Sequence, residues 1–167
     1  MQPGIMMSVG SSLRLEPGFQ QVAAMVAAGG IGKPAHGRLI IQIPNRIPIK
    51  ELVERHLSRA LDWVLEALGE VENMDVSTFA DGSGVLAVLK TKGGAVVHIE
   101  CASGYQDLKR IDVSGSGGRL YYDSLESATV RDHISGHSFC PDAPAGIPPA
   151  PTERLNELLQ EVLVAIG

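Results

Sequence analysis

Four side chains able to handle charge, Arg55, Arg59, Asp62 and Glu66, recur at steps of four, three and four within 51-ELVERHLSRALDWVLEALGEV-71, with His56 next to the first of them. On a helix that spacing puts all four on one face, while His56 turns into the apolar stripe. Two guanidinium groups one turn apart, about 6 Å at Cβ, could clasp one carboxylate or phosphate between them, with Asp62 on the same candidate substrate-binding face. The plainer alternative is a solvated face on which Arg59 pairs with Asp62, Glu51 relieves Arg55, and His56 sits at the edge of the core. Periodicity alone does not separate the two.

Other residues have ligand chemistry. His133, His137 and Cys140, with Asp142 nearby, are types that zinc accepts, but the cluster lacks a paired second half and lies where a strand runs into a loop. His98 and Glu100, two apart on a strand, share a face and read as a polar insert in an oligomer interface, or else as an acid–base pair. His36, between Pro34 and Gly37, reads as a turn residue. The Gly-rich runs 29-GGIG-32 and 115-GSGGRLYY-122 invite a nucleotide reading. The first falls at a helix C-terminus, where the dipole repels phosphate, and the second leads into a strand, so neither is a dinucleotide fingerprint.

The elements that must position these residues follow from pattern. Residues 5–15 read as a strand, Glu16 and Pro17 as a helix entry, and 18–32 as a helix with Phe19, Val22, Ala23, Val26 and Ala27 as its apolar stripe, stopped by Gly29-Gly30. The piece 37–43 is β-rich and ends in 44-PNRIP-48. The run 51–71 keeps a helical repeat for five turns through Leu52, Val53, Leu57, Ala60, Leu61, Val64, Leu65 and Leu68. Short β-rich runs then follow at 71–81, 84–91, 95–103, 109–115, 119–123 and 128–134, parted by Asp81-Gly82 and Gly93-Gly94, whose residues tolerate positive φ; they suggest an antiparallel meander. Residues 135–151 are Pro/Gly-rich and read as a surface loop, and 152–167 as a closing helix capped by Thr152.

In 84–91 and 95–103 both alternating faces are apolar for several residues, so both need covering. Three helices coat only one face of such a sheet. The other face, carrying Val96 and His98, is therefore expected to meet another domain or a second copy of the chain, a flat sheet-to-sheet homodimer being the simpler outcome.

Bulk properties narrow the function. The 167 residues suit one domain, 1–167, with a net charge of −5 that gives no hold on a nucleic-acid backbone. Cys101 and Cys140 form no C-x-x-C pair, there is no signal-like N-terminus, and Gly, Pro or charge interrupts every apolar run before membrane-spanning length. A soluble, cytoplasmic protein with no membrane or nucleic-acid partner is expected.

The order of segments resembles the C-terminal, non-nucleotide domain of the Gfo/Idh/MocA oxidoreductases. The stretch 14-RLEPGFQQVAAMVAAGGIGKPAHGRLI-40 is similar to that family's strand exit, first helix and G-x-I-G-x turn. The stretch 61-LDWVLEALGEVENMDV-76 is similar to its helix end and following strand, 84-GVLAVLKTKGGAVVHIECA-102 to its hairpin, and 110-RIDVSGSGGRLYYD-123 to its G-x-x-G-x-L strand pair. The resemblance implies an α+β fold with an open mixed, mostly antiparallel sheet, helices on one face, and the other face used for oligomerisation. It also implies hydride transfer between NAD(P) and a sugar or polyol, carried out with a preceding Rossmann domain. Nothing ahead of Ile5 supplies that domain or the Lys of the family's Glu-Lys-Pro motif, so no cofactor is expected on this chain, and NAD(P) only with a Rossmann-domain partner.

The resemblance also implies a D-x-x-x-H-x-x-D pattern on the helix at 51–71, its His acting as acid–base. Counted back from Asp62 and Gly69, the His position falls on Arg59 and the earlier Asp on Arg55. Arginine does not release its proton near neutral pH and cannot be a general base. Three functions follow as expectations: a substrate-side and dimerisation domain with no catalytic residue of its own; half of an active NAD(P)-dependent oxidoreductase whose Rossmann domain is separate or removed; and, third, a metal-binding protein through His133, His137 and Cys140.

Overall fold

The computed structural model describes residues 13–126, 130–132, 138–139 and 153–167. A first helix, α1, runs Pro17–Ala27, with Pro at its first turn, where the missing N–H costs nothing. Strand β1 is Pro34–Ile43. The long helix α2 covers 49–67 with helical backbone throughout, but its middle, Val53–Leu57, is a π turn between α-helical Ile49–Leu52 and Ser58–Ala67. Strands β2 (Val71–Phe79), β3 (Gly84–Thr91), β4 (Val96–Ser103), β5 (Leu108–Gly115) and β6 (Gly118–Asp123) follow. Short β7 (Val130–Asp132) and β8 (Ser138–Phe139) precede α3, Glu153–Ile166.

The strands form one open sheet in the order β2-β3-β4-β1-β5-β6-β7-β8. Every pairing is antiparallel except β1 with β4, which is parallel, Leu39 lying opposite Ile99. The fold class is thus α+β with a mixed, mostly antiparallel sheet, as expected. The expected unbroken meander is corrected: β1 inserts between β4 and β5. Alternation along a strand tells which face each residue takes but not which strand lies beside it.

Packing follows the alternation. Val85, Ala87 and Leu89 of β3, Val97, Ile99 and Cys101 of β4, Leu39 and Ile41 of β1, and Ile111 and Val113 of β5 point to one face and are buried under the three helices. Trp63 of α2 is fully buried, edge-on to Phe19 of α1 with ring centres 5.9 Å apart, and its Nε1–H donates to Phe19 O at 3.0 Å. That bond satisfies the one polar group the indole brings inside. The opposite face is part apolar, through Leu86, Val88 and Ile40, and part charged, as the two-faced reading of β3 and β4 anticipates.

Some boundaries differ from expectation. Leu13–Leu15 is a 3-10 turn rather than the end of a strand, because the chain must swing into the Pro17 helix start through an extended Glu16; residues 5–12 lie outside the described residues. Ser138–Phe139 pairs with β7, so the 135–151 segment is not wholly without regular structure. Thr152 lies outside the described residues. No helix among the described residues is long and apolar enough to cross a membrane.

Candidate functional site

The π turn decides how α2 presents its charged residues. Ser58 N–H bonds Val53 O, five residues back, and the Ser58 hydroxyl donates to Glu54 O at 2.6 Å, the carbonyl that an α-helical pattern would have given to its amide. Arg55 and His56 lie inside this turn, which packs on β4, while Arg59 and Asp62 follow it.

The expected Arg59–Asp62 pair does not form. Asp62 is buried and takes a bidentate grip from Arg14, Nε to Oδ2 at 2.7 Å and the guanidinium NH2 to Oδ1 at 2.8 Å, and Glu66 bonds the same guanidinium. Asp62 therefore ties α2 to the segment before α1 instead of facing solvent beside Arg59. Arg55 is exposed and held by Glu51 at 2.6 Å, the relief expected for it. The two arginines are therefore unequal, one at the surface and self-neutralised, the other half-buried.

Arg59 is the outstanding group. Its Nε is buried with no hydrogen-bond partner among the described residues. Burial, and then the nearby Arg55, lower its pKa, the carboxylate of Glu16 opposing. His56 is half-buried and its pKa falls to about 4, first through burial and then through Arg59, Arg55 and Lys109, so it is a neutral imidazole at physiological pH. Lys109, on β5, is paired with Glu16. Among the described residues three cations, Arg55, Arg59 and Lys109, thus meet two carboxylates, Glu51 and Glu16, leaving one positive charge in excess at Arg59. A half-buried guanidinium next to a neutral imidazole is suited to receive a carboxylate or phosphate.

Sequence reasoning missed Lys109, Glu16 and Arg14 here. Lys109 and Glu16 are 93 positions apart, and Arg14 and Asp62 are 48 apart, so no local spacing signals either pair.

The open sheet face carries the other polar cluster. His36 is a β1 residue, not a turn residue; it stands opposite Val96, and His98 opposite Arg38, so the two histidines are diagonal neighbours with ring centres 5.5 Å apart. His98 and Glu100 share this face as expected but take different partners, for Glu100 pairs with Arg38 at 3.7 Å. Val96 is 38 % exposed. Cys101 is buried in the core, where burial pushes its thiol far up and leaves it unreactive. His133, His137 and Cys140 lie outside the described residues.

The Gly-rich runs meet each other. Gly117 N–H donates to Ile31 O at 2.8 Å, Ser116 N–H to Lys33 O at 3.0 Å, and Lys33 N–H to the Ser116 hydroxyl at 2.9 Å.

No protein-family profile and no curated protein matches the chain. Solved structures do. A levoglucosan dehydrogenase in complex with NADH and levoglucosan superposes with a TM-score of 0.63 at 12% identity, over 87% of this chain and 53% of that one. The UDP-N-acetylglucosamine 3-dehydrogenase of Acidithiobacillus ferrooxidans gives 0.62 at 15% identity, over 96% and 52%. The myo-inositol dehydrogenase of Lactobacillus casei, a complex with NAD(H) and myo-inositol, gives 0.61 at 22% identity, over 68% and 38%. The chain therefore has the fold of one part of Gfo/Idh/MocA-type dehydrogenases and spans about half of their length or less.

Proposed function

We propose that this chain is a substrate-side and dimerisation domain like that of NAD(P)-dependent sugar and polyol oxidoreductases, with no catalytic residue of its own, and that it holds an anionic group of its ligand on Arg59. The observation carrying the reading is the half-buried Arg59, whose Nε has no acceptor among the described residues, while Asp62 and Arg55 are each paired within the chain. By the resemblance, Arg59 stands where family enzymes keep their acid–base histidine, so a proton-transfer position becomes an anion-holding one. NAD(P) enters this reading only where a Rossmann domain, on the same polypeptide or another, is supplied.

The test is thermal stabilisation by sugar acids and sugar phosphates. A ligand at about a hundred times its Kd adds roughly 2.7 kcal/mol, which for a domain of this size is a rise of about 5–10 °C in Tm. Arg59→Gln is expected to remove that rise, Arg55→Gln to keep most of it, and neutral polyols to give little with either. A ligand that stabilises the parent and Arg59→Gln equally sinks the reading.

The open sheet face supports pairing with a second copy. Six strands about 4.8 Å apart and about eight residues long, at roughly 3.3 Å per residue, make a face of roughly 700 Å². A pair would then bury about 1,400 Å², within the range of stable interfaces. Light scattering at micromolar concentration is expected to give twice the chain mass, and Val96→Glu to return it to one; a parent mass of one chain removes the dimer.

A further inference from the structure

We propose that His36 and His98 form one half of a zinc site that a second copy of this chain completes across the open sheet face. The inference rests on the sheet pairing proposed above and adds a metal to it.

The geometry comes first. Two imidazoles bound to one tetrahedral zinc, at about 2.0–2.1 Å per bond, have ring centres about 5 Å apart. His36 and His98 stand at 5.5 Å with their planes tilted by 50°. Both project from β1 and β4, neighbours in the middle of the first six strands, where hydrogen bonds on both sides fix the backbone. The pair is therefore held by strands rather than by a loop, which is what a preorganised metal site requires.

The count comes second. No group of three or more metal-binding side chains gathers among the described residues, so one copy brings two ligands where zinc takes four. A two-fold axis lying between the facing sheets, along the boundary of β1 and β4, sets the histidine pair against its counterpart while covering the six strands from β2 to β6. Facing sheets pack about 10 Å apart, a gap that imidazoles reaching from both sides can bridge with one ion between them. The surroundings do not oppose a cation, because Arg38 is matched by Glu100 and Arg119 by Asp112.

The chain, stripped with a chelator, is titrated with zinc while its mass is followed by light scattering and its metal content by a colorimetric zinc indicator. One zinc per two chains is expected, tightening the dimer at least tenfold, and His36→Ala together with His98→Ala should abolish both effects while leaving the melting temperature of the metal-free chain within about 2 °C of the parent. A metal-free dimer on which zinc has no effect overturns the metal site and leaves the sheet pairing standing. A monomer with and without zinc overturns both. Zinc binding that survives the double substitution places the ion elsewhere and also overturns the proposal.

Discussion

Arg14→Leu should cost about 3–5 kcal/mol, since it strips a buried carboxylate of its bidentate partner. Asp62 has a side chain 5% exposed and receives two bonds from Arg14. With the guanidinium gone, the carboxylate remains inside α2 with its charge uncompensated. For a domain of this size the melting temperature should fall by roughly 10 °C or more. Adding Asp62→Leu to Arg14→Leu should recover most of the loss, because an apolar pair of similar volume often replaces a buried ion pair at no net cost. Glu66→Gln should change little, for Glu66 is 49% exposed. Thermal melting of the three variants settles the matter. A loss below about 1 kcal/mol for Arg14→Leu would mean that Asp62 does not depend on Arg14, and would return it to the ligand face on which its helical spacing first placed it.

That last contrast marks how far the sequence could be read. Helix α2 was legible because its apolar positions recur for five turns, and the hairpin turns because Asp81, Gly82 and Gly94 adopt φ of 54°, 80° and 94°, conformations their chemistry tolerates. The π turn inside α2 was not legible. One extra residue in a turn leaves the apolar set nearly unchanged, and its sign is a single hydroxyl, Ser58 on Glu54 O. The place of β1 between β4 and β5 was likewise hidden, as were the partners of Asp62 and Lys109, because each is settled by elements distant in sequence. Of the candidate site, the arginines were visible as a spacing, but their inequality came only from packing. Arg55 finds Glu51 four residues away, a local pairing, whereas Arg59 is half-buried and its Nε has no acceptor among the described residues.

The Gly-rich segments give the second large effect. Gly115→Ala should destabilise the fold by more than about 3 kcal/mol, the upper end for atoms forced into a packed interior. A Cβ there would lie 2.4 Å from Ile31 O and 2.5 Å from Lys33 O. Both are backbone atoms, and neither can retreat without breaking the bonds from Gly117 N–H to Ile31 O and from Ser116 N–H to Lys33 O. Gly32, at φ 70°, is crowded from the other side, where an added Cβ would fall 2.4 Å from the Ser116 hydroxyl. The glycines thus let one backbone lie against another, joining the end of α1 to the β5–β6 hairpin. Gly29 and Gly94 supply the contrast. Each has positive φ, but among the described residues nothing comes within 4 Å of an added Cβ, so alanine there should cost only the backbone penalty of about 1–2 kcal/mol. Were 115–118 a phosphate cradle instead, Gly115→Ala would leave the melting temperature intact and abolish stabilisation by phosphorylated ligands. The docked backbones require the reverse order: a large fall in melting temperature for Gly115→Ala, and phosphate-ligand stabilisation that tracks Arg59 rather than the glycines.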